Sequence, residues 1–218
     1  MGAVRLSPYS NRCLLALGAL LFTVPAFAQL PGLAKKQATS KNDKVPKFSS
    51  KLAPYVVSPT RIVDQMLEVA NLKPGETLYD LGCGDGRILI AAASKYKVKA
   101  IGVEISPRLV ARAADNIQQA GLGDQARVMQ GDLLTTDVTS ADVVTLYLTT
   151  SFNEKLRPHL EKQLRAGARV ISNDYPVPGW KAARTITTED HHIHRVFVYE
   201  MPPVKSTEAT PGDFPGNN

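Results

Sequence analysis

Apolar residues recur with two alternating periods along the middle of the chain. In SPTRIVDQMLEVANL, residues 58–72, they fall three or four positions apart, which predicts an amphipathic helix that begins near its proline. The predicted apolar face holds Ile62, Val63, Met66, Leu67 and Ala70. Shorter, mostly apolar runs rich in valine and isoleucine follow and predict strands. The two patterns then alternate, which is typical of an α/β domain.

The predicted elements can be placed along the chain. Strands are predicted at 77–82, 98–105, 126–132, 141–148 and 168–174, and helices at 87–96, 106–121 and 151–167. Ser106 is the predicted cap of the second of these helices, and Pro158 predicts that the third is interrupted or restarts there. The alternating segments 183–189 and 193–201 predict a closing hairpin. Strands that alternate with helices imply βαβ units, so we expect a mostly parallel sheet covered on both faces, with an antiparallel C-terminal strand.

The first 28 residues have the pattern of a secretory signal peptide. They carry Arg5 and Arg12, then the apolar stretch CLLALGALLFTV, then AFA directly before Gln29. A basic start, an apolar centre and small residues before the cut are the parts of such a signal. We therefore expect an exported or periplasmic protein. The alternative is a protein anchored in the membrane through an uncleaved leader.

Basic residues concentrate ahead of the domain, which the pattern places at residues 53–202. Residues 29–52 hold six lysines and one aspartate and predict a basic linker, whereas residues 53–218 hold 18 basic and 19 acidic residues. The formal net charge of +6 therefore belongs to the leader and the linker. No nucleic-acid partner is expected, because its footprint should lie on the folded domain. The N-terminal segment is the expected point of membrane contact, and residues 203–218 predict a flexible tail.

A glycine-rich turn, YDLGCGDGR, follows the first predicted strand. In open α/β sheets, ligands bind beyond the carboxyl ends of the strands, and glycine there lets a ligand approach the backbone. Gly82 and Gly84 would permit the tight turn, and Gly86 would let the next helix pack near its strand. The spacing G-x-G-x-G differs from the G-x-G-x-x-G of dinucleotide sites. Taken by itself, the glycine-rich segment could also form a purely structural turn or a dinucleotide site.

Acidic residues follow three successive predicted strands. Asp80 precedes the glycines, where it would repel a diphosphate and suit a cationic group. Glu104 ends the second strand, where a carboxylate can accept hydrogen bonds from both ribose hydroxyls. Asp132 follows the third and can accept from the adenine amine, with Ile105 and Leu133 on either side of the ring. A ligand with adenosine and positive charge but no phosphate is S-adenosylmethionine.

The chain resembles the class I S-adenosylmethionine-dependent methyltransferases over roughly residues 54–201. LYDLGCGDG is similar to their first motif, GVEIS to the second, QGDLL to the third and ADVVTLYL to the fourth strand. The resemblance implies a Rossmann-like, seven-stranded, mostly parallel sheet with a reversed C-terminal strand and helices on both faces. The chain is most like the ATP-synthase c-subunit lysine N-methyltransferase family, on PYVVSPTRIVDQML, DLGCGDGRILIAAA and GARVISNDYPVPGW. TTSFNEKL, after the fourth strand, does not match that family clearly.

The resemblance implies a methyl acceptor at the same rim of the sheet. The expected acceptor is a protein lysine, and we expect a monomer. The candidates for acceptor chemistry are Tyr147, Asn173, Asp174 and Tyr175. The candidates for cofactor binding are Tyr55, Thr60, Asp80, Gly82, Gly84, Asp85, Gly86, Glu104, Ile105, Asp132 and Leu133. Two further enzyme classes stay open, a small-molecule methyltransferase and a dinucleotide oxidoreductase, as does a module that binds the cofactor without transfer.

Three other features of the sequence invite a chemical role. Trp180, after a proline-rich turn, would either line a substrate mouth or plug the core. His191, His192 and His194 suggest a metal, but we interpret them as a solvated hairpin turn and predict no metal site. Cys83 has no neighbouring base, so we interpret it as a small residue tolerated in the cofactor turn.

Overall fold

The computed structural model describes residues 58–190 and 192–205. Its helices are α1 (Thr60–Val69), α2 (Arg87–Tyr96), α3 (Pro107–Gln119) and α4 (Thr150–Gln163). Its strands are β1 (Thr77–Leu81), β2 (Lys99–Glu104), β3 (Ala126–Gln130), β4 (Val143–Leu146), β5 (Arg169–Asn173), β6 (Trp180–Lys181), β7 (Arg184–Asp190), β8 (His192–Glu200) and β9 (Val204–Lys205). The predicted leader, linker, Tyr55 and His191 lie outside the described residues.

Seven strands form one sheet in the order β3-β2-β1-β4-β5-β8-β7. The first five in this order are parallel, and β8 runs antiparallel to both β5 and β7. The predicted fold class, including the reversed C-terminal strand, is confirmed. Every residue of β4 is buried, as expected for a central parallel strand covered on both faces.

Two apolar cores lie on the two faces of the sheet. One contains the predicted apolar face of α1 together with Leu89 of α2 and Ile117 of α3. The other contains Leu156 and Leu160 of α4. In the part of the chain that the structure describes, no helix is long and apolar enough to cross a membrane.

The strand order reverses at β1, which lies between β2 and β4. The chain leaves the carboxyl end of β1 through the glycine turn, and the carboxyl ends of β2, β3, β4 and β5 meet the same edge because these strands are parallel. A reversal of this kind opens a crevice at the carboxyl edge. The predicted site residues that the structure describes end or follow these strands, except Asp80, which lies inside β1, and Thr60 in α1.

Two local predictions were wrong. A third was right about the position of a residue but not about the hydrogen bond that it would make. α4 continues through Pro158 without interruption, since tertiary packing of its apolar face outweighs the backbone bond that proline removes. The predicted tail begins with a strand instead, because β9 pairs with β6; its remainder from residue 206 lies outside the described residues. Ser106 stands at the N-cap of α3, as predicted, but makes no side-chain cap bond.

Candidate functional site

The turn after β1 needs glycine for both conformation and space. Gly82 and Gly84 have φ values of 87° and 56°, in the left-handed region that side chains disfavour. A Cβ on Gly82 would lie 3.0 Å from Leu148 Cδ2. The Gly82 amide donates to the Val103 carbonyl at 2.8 Å, which ties the turn to β2. The turn is therefore both tight and held against the neighbouring strand.

Two more glycines let neighbouring elements pack closely. A Cβ on Gly86, the N-cap of α2, would lie 3.2 Å from Ala113 Cβ on α3. This glycine therefore makes room for α3, whereas the sequence-based expectation was close packing of α2 on its own strand. A Cβ on Gly102 of β2 would lie 2.6 Å from Cys83 Sγ. Cys83 is buried against that space, and burial raises the pKa of its thiol well above the usual range. It is a packing residue and not a nucleophile.

Glu104 connects the glycine turn to the segment after β2. Its Oε2 accepts the Gly84 amide at 3.0 Å and its Oε1 accepts the Ser106 amide at 2.9 Å. The side chain is buried, so it contributes to the architecture of the turn as well as being a candidate ligand contact. Each carboxylate oxygen can accept more than one hydrogen bond, which leaves capacity for a ligand hydroxyl.

Asp80 lies inside β1 and is buried, where the sequence had suggested the loop-forming end of the strand. Thr145 Oγ1 on β4 donates to Asp80 Oδ1 at 2.8 Å. Burial, opposed by this bond and reinforced by the nearby carboxylates of Glu104 and Asp85, raises the pKa of Asp80 to about 7. A cationic group near it would favour the ionised form.

Asp85 joins the glycine turn to the start of α1. The Arg87 guanidinium contacts both carboxylate oxygens, with Nε 2.9 Å from Oδ1 and Nη2 2.6 Å from Oδ2. Arg87 Nη1 also donates to the Ser58 carbonyl at 2.7 Å. The start of α1 and the start of α2 are thereby held together. Thr60, the first residue of α1, is exposed.

The segment after β3 supplies the other edge of this crevice. Leu133 is buried, and its Cδ1 lies 4.0 Å from the position a Cβ would take on Gly82. Asp132 Oδ1 accepts the Leu134 amide at 2.9 Å and so shapes the turn. Ile105, after β2, is half-buried. Their assignment to the adenine ring stays a prediction.

Asp174 is the centre of a group of polar side chains at the end of β5. We call this group, which comprises Tyr147, Asn173, Asp174, Tyr175 and His194, the second polar group. Its φ of 60° is left-handed, which is uncommon for a residue other than glycine. Asn173 Nδ2 donates to its Oδ2 at 3.1 Å and the Arg195 amide donates to its Oδ1 at 3.1 Å. Four hydrogen-bond donors, counting those of Tyr147 and His194, surround this one carboxylate.

Tyr147 and Asn173 lie beside that carboxylate and Tyr175 follows it in the chain, so these four candidates share one rim, which is what the sequence predicted. The rings of Tyr147 and Tyr175 have centroids 6.2 Å apart. Burial and the neighbouring Asp174, to which it hydrogen-bonds, raise the pKa of Tyr147 to about 12. Asn173 is fully buried, and among the described residues its Oδ1 is one of three buried side-chain atoms without a hydrogen-bond partner. A buried acceptor left unsatisfied is costly unless a ligand supplies a donor.

His194 belongs to this group, and its assignment to a solvated turn was wrong. It lies on β8 with only 9% of its surface exposed, and its Nδ1 is 2.8 Å from Asp174 Oδ2. The period of a strand gives the reason, because alternate residues share a face and Val196 and Val198 are buried with it. His192, on the same strand, is exposed.

Asn153 of α4 is a residue that the sequence analysis missed. It is fully buried, and its Nδ2 donates to the Tyr175 carbonyl at 3.0 Å. A polar side chain three and seven residues before Leu156 and Leu160, on a face that is otherwise apolar, was the available signal. Asn153 therefore holds the chain where it leaves the second polar group.

Trp180 is part of the core and does not line the crevice. It is buried, its ring meets Tyr199 edge to face at 5.4 Å, and its Nε1 donates to Glu161 Oε1 of α4 at 2.7 Å. Of the two sequence-based alternatives, the core plug is confirmed. Within residues 58–190 and 192–205, no cluster of three or more histidine, cysteine or acidic side chains is suited to a metal.

Known proteins with related sequences are methyltransferases. Residues 80–184 match the family model of the ANTKMT methyltransferase domain. A protein-lysine N-methyltransferase of Saccharolobus islandicus is 42% identical over 67% of this chain and 92% of its own length. The adenine nucleotide translocase lysine N-methyltransferase of Mus musculus is 31% identical over 68% of this chain, which spans 63% of that protein. The ATP-synthase c-subunit lysine N-methyltransferase of Homo sapiens is 29% identical over 72% of this chain and 66% of its own length.

A related solved structure carries a different substrate name. It is a crystal structure of an RNA methyltransferase from Salinibacter ruber in complex with S-adenosylhomocysteine, 40% identical, with a TM-score of 0.66. The alignment covers 72% of this chain and all of that one. The sequence relatives, the fold, and the glycine turn with Asp80, Glu104 and Asp132 near it all indicate the same class of enzyme. The chain therefore belongs to the family of S-adenosylmethionine-dependent methyltransferases that includes these protein-lysine N-methyltransferases.

Proposed function

We propose that this protein transfers the methyl group of S-adenosylmethionine to the amine of a protein lysine. The observation that carries this proposal is the Asp174 carboxylate, which accepts from Asn173 Nδ2, together with the buried and unsatisfied Asn173 Oδ1 and two tyrosine rings beside it. An ionised carboxylate and an amide carbonyl oxygen can accept hydrogen bonds but cannot donate them. They therefore select a donor such as an amine and offer little to an acceptor oxygen.

The crevice after β1 fits the cofactor on observations of this chain. Gly82 and Gly84 give the turn its left-handed backbone, and Asp80 and Glu104 bring carboxylates to this end of the sheet without a diphosphate-binding pattern. When bound, S-adenosylmethionine supplies a methyl group on a positively charged sulfur. We assign Glu104 to the ribose hydroxyls and Asp80 to the positive charge. We assign the adenine to Asp132, between Ile105 and Leu133.

The second polar group would bind and orient the acceptor. A lysine side chain has an ordinary pKa of about 10.4, so it arrives as an ammonium and must release one proton to solvent before the nitrogen lone pair can attack the methyl group. Its apolar stem can lie along the paired rings of Tyr147 and Tyr175, and its N–H groups can donate to Asp174 and to Asn173 Oδ1. Alignment and exclusion of water are the main contributions that a protein makes to such a displacement. These residues therefore account for acceptor choice.

RNA is the second candidate acceptor, because a 40%-identical structure is described as an RNA methyltransferase. The charge distribution favours protein. Asp80, Asp85, Glu104 and Asp174 lie at the carboxyl edge of the sheet, and Arg87 there is already engaged by Asp85. RNA-binding surfaces are instead basic, since they neutralise phosphates.

The experiment compares wild type with Asp174→Asn for transfer of labelled methyl groups into source-cell extract. Asp174→Asn removes the negative charge with little change in size, so we expect protein labelling to fall about tenfold or more. The affinity for S-adenosylhomocysteine should change less than about twofold. Asp115→Asn, an exposed aspartate of α3, is the matched control and should behave as wild type. Equal protein labelling by both Asp174 forms would contradict the proposal.

We also propose that the protein acts outside the cytoplasm, on the basis of the leader pattern in residues 1–28. Cleavage before Gln29 would leave the basic linker as the N-terminus, able to approach anionic surfaces. An uncleaved leader would instead serve as an anchor. Either outcome puts the domain at a membrane or beyond it.

A further inference from the structure

His194 touches the carboxylate that the proposed function assigns to the acceptor amine. Its Nδ1 lies 2.8 Å from Asp174 Oδ2, and both side chains are largely buried, at 11% and 20% exposed. Because an ionised carboxylate can only accept, Nδ1 must carry the hydrogen and donate it. The contact therefore fixes the tautomer of His194 as well as the position of Asp174.

Asp174 is held from β8 at both carboxylate oxygens, because the Arg195 amide donates to Oδ1 at 3.1 Å and the His194 side chain contacts Oδ2. Its backbone is in the left-handed region, at φ 60°, a conformation that persists only when the surroundings enforce it. Asn173 is its chain neighbour, and Tyr147 belongs to the same rim. His194 comes from β8, on the far side of β5, and is held in place by the sheet.

We propose that His194 is a positioning residue for methyl transfer, which acts through Asp174. Its Nδ1–H holds Asp174 Oδ2 so that the carboxylate stays at the rim beside Tyr147 and Asn173 Oδ1. Loss of this hydrogen bond lets the carboxylate turn away, and the acceptor amine loses its orientation. The inference rests on the proposed function, since it assigns His194 to acceptor binding.

A double-mutant cycle tests whether His194 acts through Asp174. The measured rate is transfer of labelled methyl groups into source-cell extract protein. His194→Ala should lower this rate about tenfold in the wild-type background and less than about threefold in the Asp174→Asn background. The affinity for S-adenosylhomocysteine should stay within about twofold. Effects that multiply in full would overturn the inference.

Rescue by asparagine separates this role from simple packing. The Nδ2 of His194→Asn can occupy the place of Nδ1 and donate to Asp174, whereas the amide of His194→Gln extends past it. We expect Asn to recover the rate to within about threefold of wild type and Gln not to recover it. His192→Ala, at an exposed position of the same strand, is the control and should match wild type. If His194→Ala unfolds below the assay temperature, the comparison of transfer rates between His194→Asn and His194→Gln decides the question. Equal rates for these two variants would overturn the inference.

Nuclear magnetic resonance of the ligand-free protein gives a readout that does not depend on activity. The His194 ring should show a hydrogen on Nδ1 with slow exchange, and Asp174→Asn should alter that signal. A neutral His194 that carries its hydrogen on Nε2 and none on Nδ1 would contradict the proposal. If wild type labels no protein, the proposed function fails and this inference fails with it. If wild type labels protein and His194→Ala equals it, the inference alone fails.

Discussion

The Glu104 carboxylate accepts the backbone amide of Gly84 at 3.0 Å, so the end of β2 and the glycine turn after β1 are one unit. The other carboxylate oxygen accepts the Ser106 amide. A residue at the expected place for ribose binding therefore also satisfies two backbone donors. Changes at Glu104 should alter the stability of the turn and the binding of the cofactor together.

Glu104→Ala should destabilise the protein as well as weaken cofactor binding. Two amides lose their acceptor, and an unsatisfied buried donor costs about 1–3 kcal/mol. We expect the free energy of unfolding to fall by about that amount, and the affinity for S-adenosylhomocysteine to fall tenfold or more. Denaturant titration and calorimetry measure the two quantities. Glu104→Gln keeps one acceptor oxygen and should lie between; unchanged values for Glu104→Ala would remove Glu104 from both roles.

Gly82→Ala should abolish cofactor binding, whereas Gly167→Ala should not. Both glycines have positive φ, at 87° and 82°, so both variants incur a similar backbone cost of about 1–2 kcal/mol. A Cβ on Gly167 meets nothing within 4 Å, whereas one on Gly82 lies 3.0 Å from Leu148. Calorimetry with S-adenosylhomocysteine compares the two. Similar affinities would show that the turn does not contact the ligand.

Asp80→Asn should become more stable relative to wild type as the pH rises. The folded pKa of about 7 lies above the ordinary aspartate value of 3.8, so the folded wild type binds more protons than the unfolded chain between these values. Wild-type stability therefore falls as the pH rises through about 4 to 7, and the neutral amide avoids this loss. We expect a relative gain of about 1 kcal/mol or more between pH 5 and pH 8. Parallel stability curves for the two proteins would contradict the buried carboxyl with its raised pKa.

The mature N-terminus should be Gln29 or a glutamine-derived pyroglutamate. The prediction follows from the basic start, apolar centre and AFA of residues 1–28. Mass spectrometry of the protein isolated from its own cells, with tryptic peptides covering residues 20–36, measures it. Recovery of intact peptides that span residues 28 and 29 would contradict cleavage and favour the anchored alternative.

Local patterns were sufficient for the fold and for the placement of most candidate site residues at one edge of the sheet. The apolar period of RILIAAASKY placed a helix at 87–96, where α2 lies. The acids at or near the carboxyl ends of β1, β2 and β3 could be assigned to one edge because parallel strands end together. His194 could also have been recognised, because strand alternation places it on the face of Val196 and Val198. Our sequence-based interpretation instead grouped it with the neighbouring histidines by composition.

Other parts of the site depend on contacts between distant segments. Asn153 and Tyr175 are 22 residues apart and meet only because α4 packs beside the end of β5. Gly102 is required by the sulfur of Cys83 from another element. The double role of Glu104 depends on the path of two backbone segments. None of these relationships has a period or motif that sequence alone displays.

Identification of the labelled molecule tests the central claim most directly. Source-cell extract is incubated with the protein and labelled S-adenosylmethionine, then separated into protein, RNA and small molecules, and the labelled fraction is hydrolysed and analysed by mass spectrometry. We predict label in protein as methylated lysine, strongly reduced with Asp174→Asn. Label in methylated nucleosides or in small molecules, with none in lysine, would contradict the account.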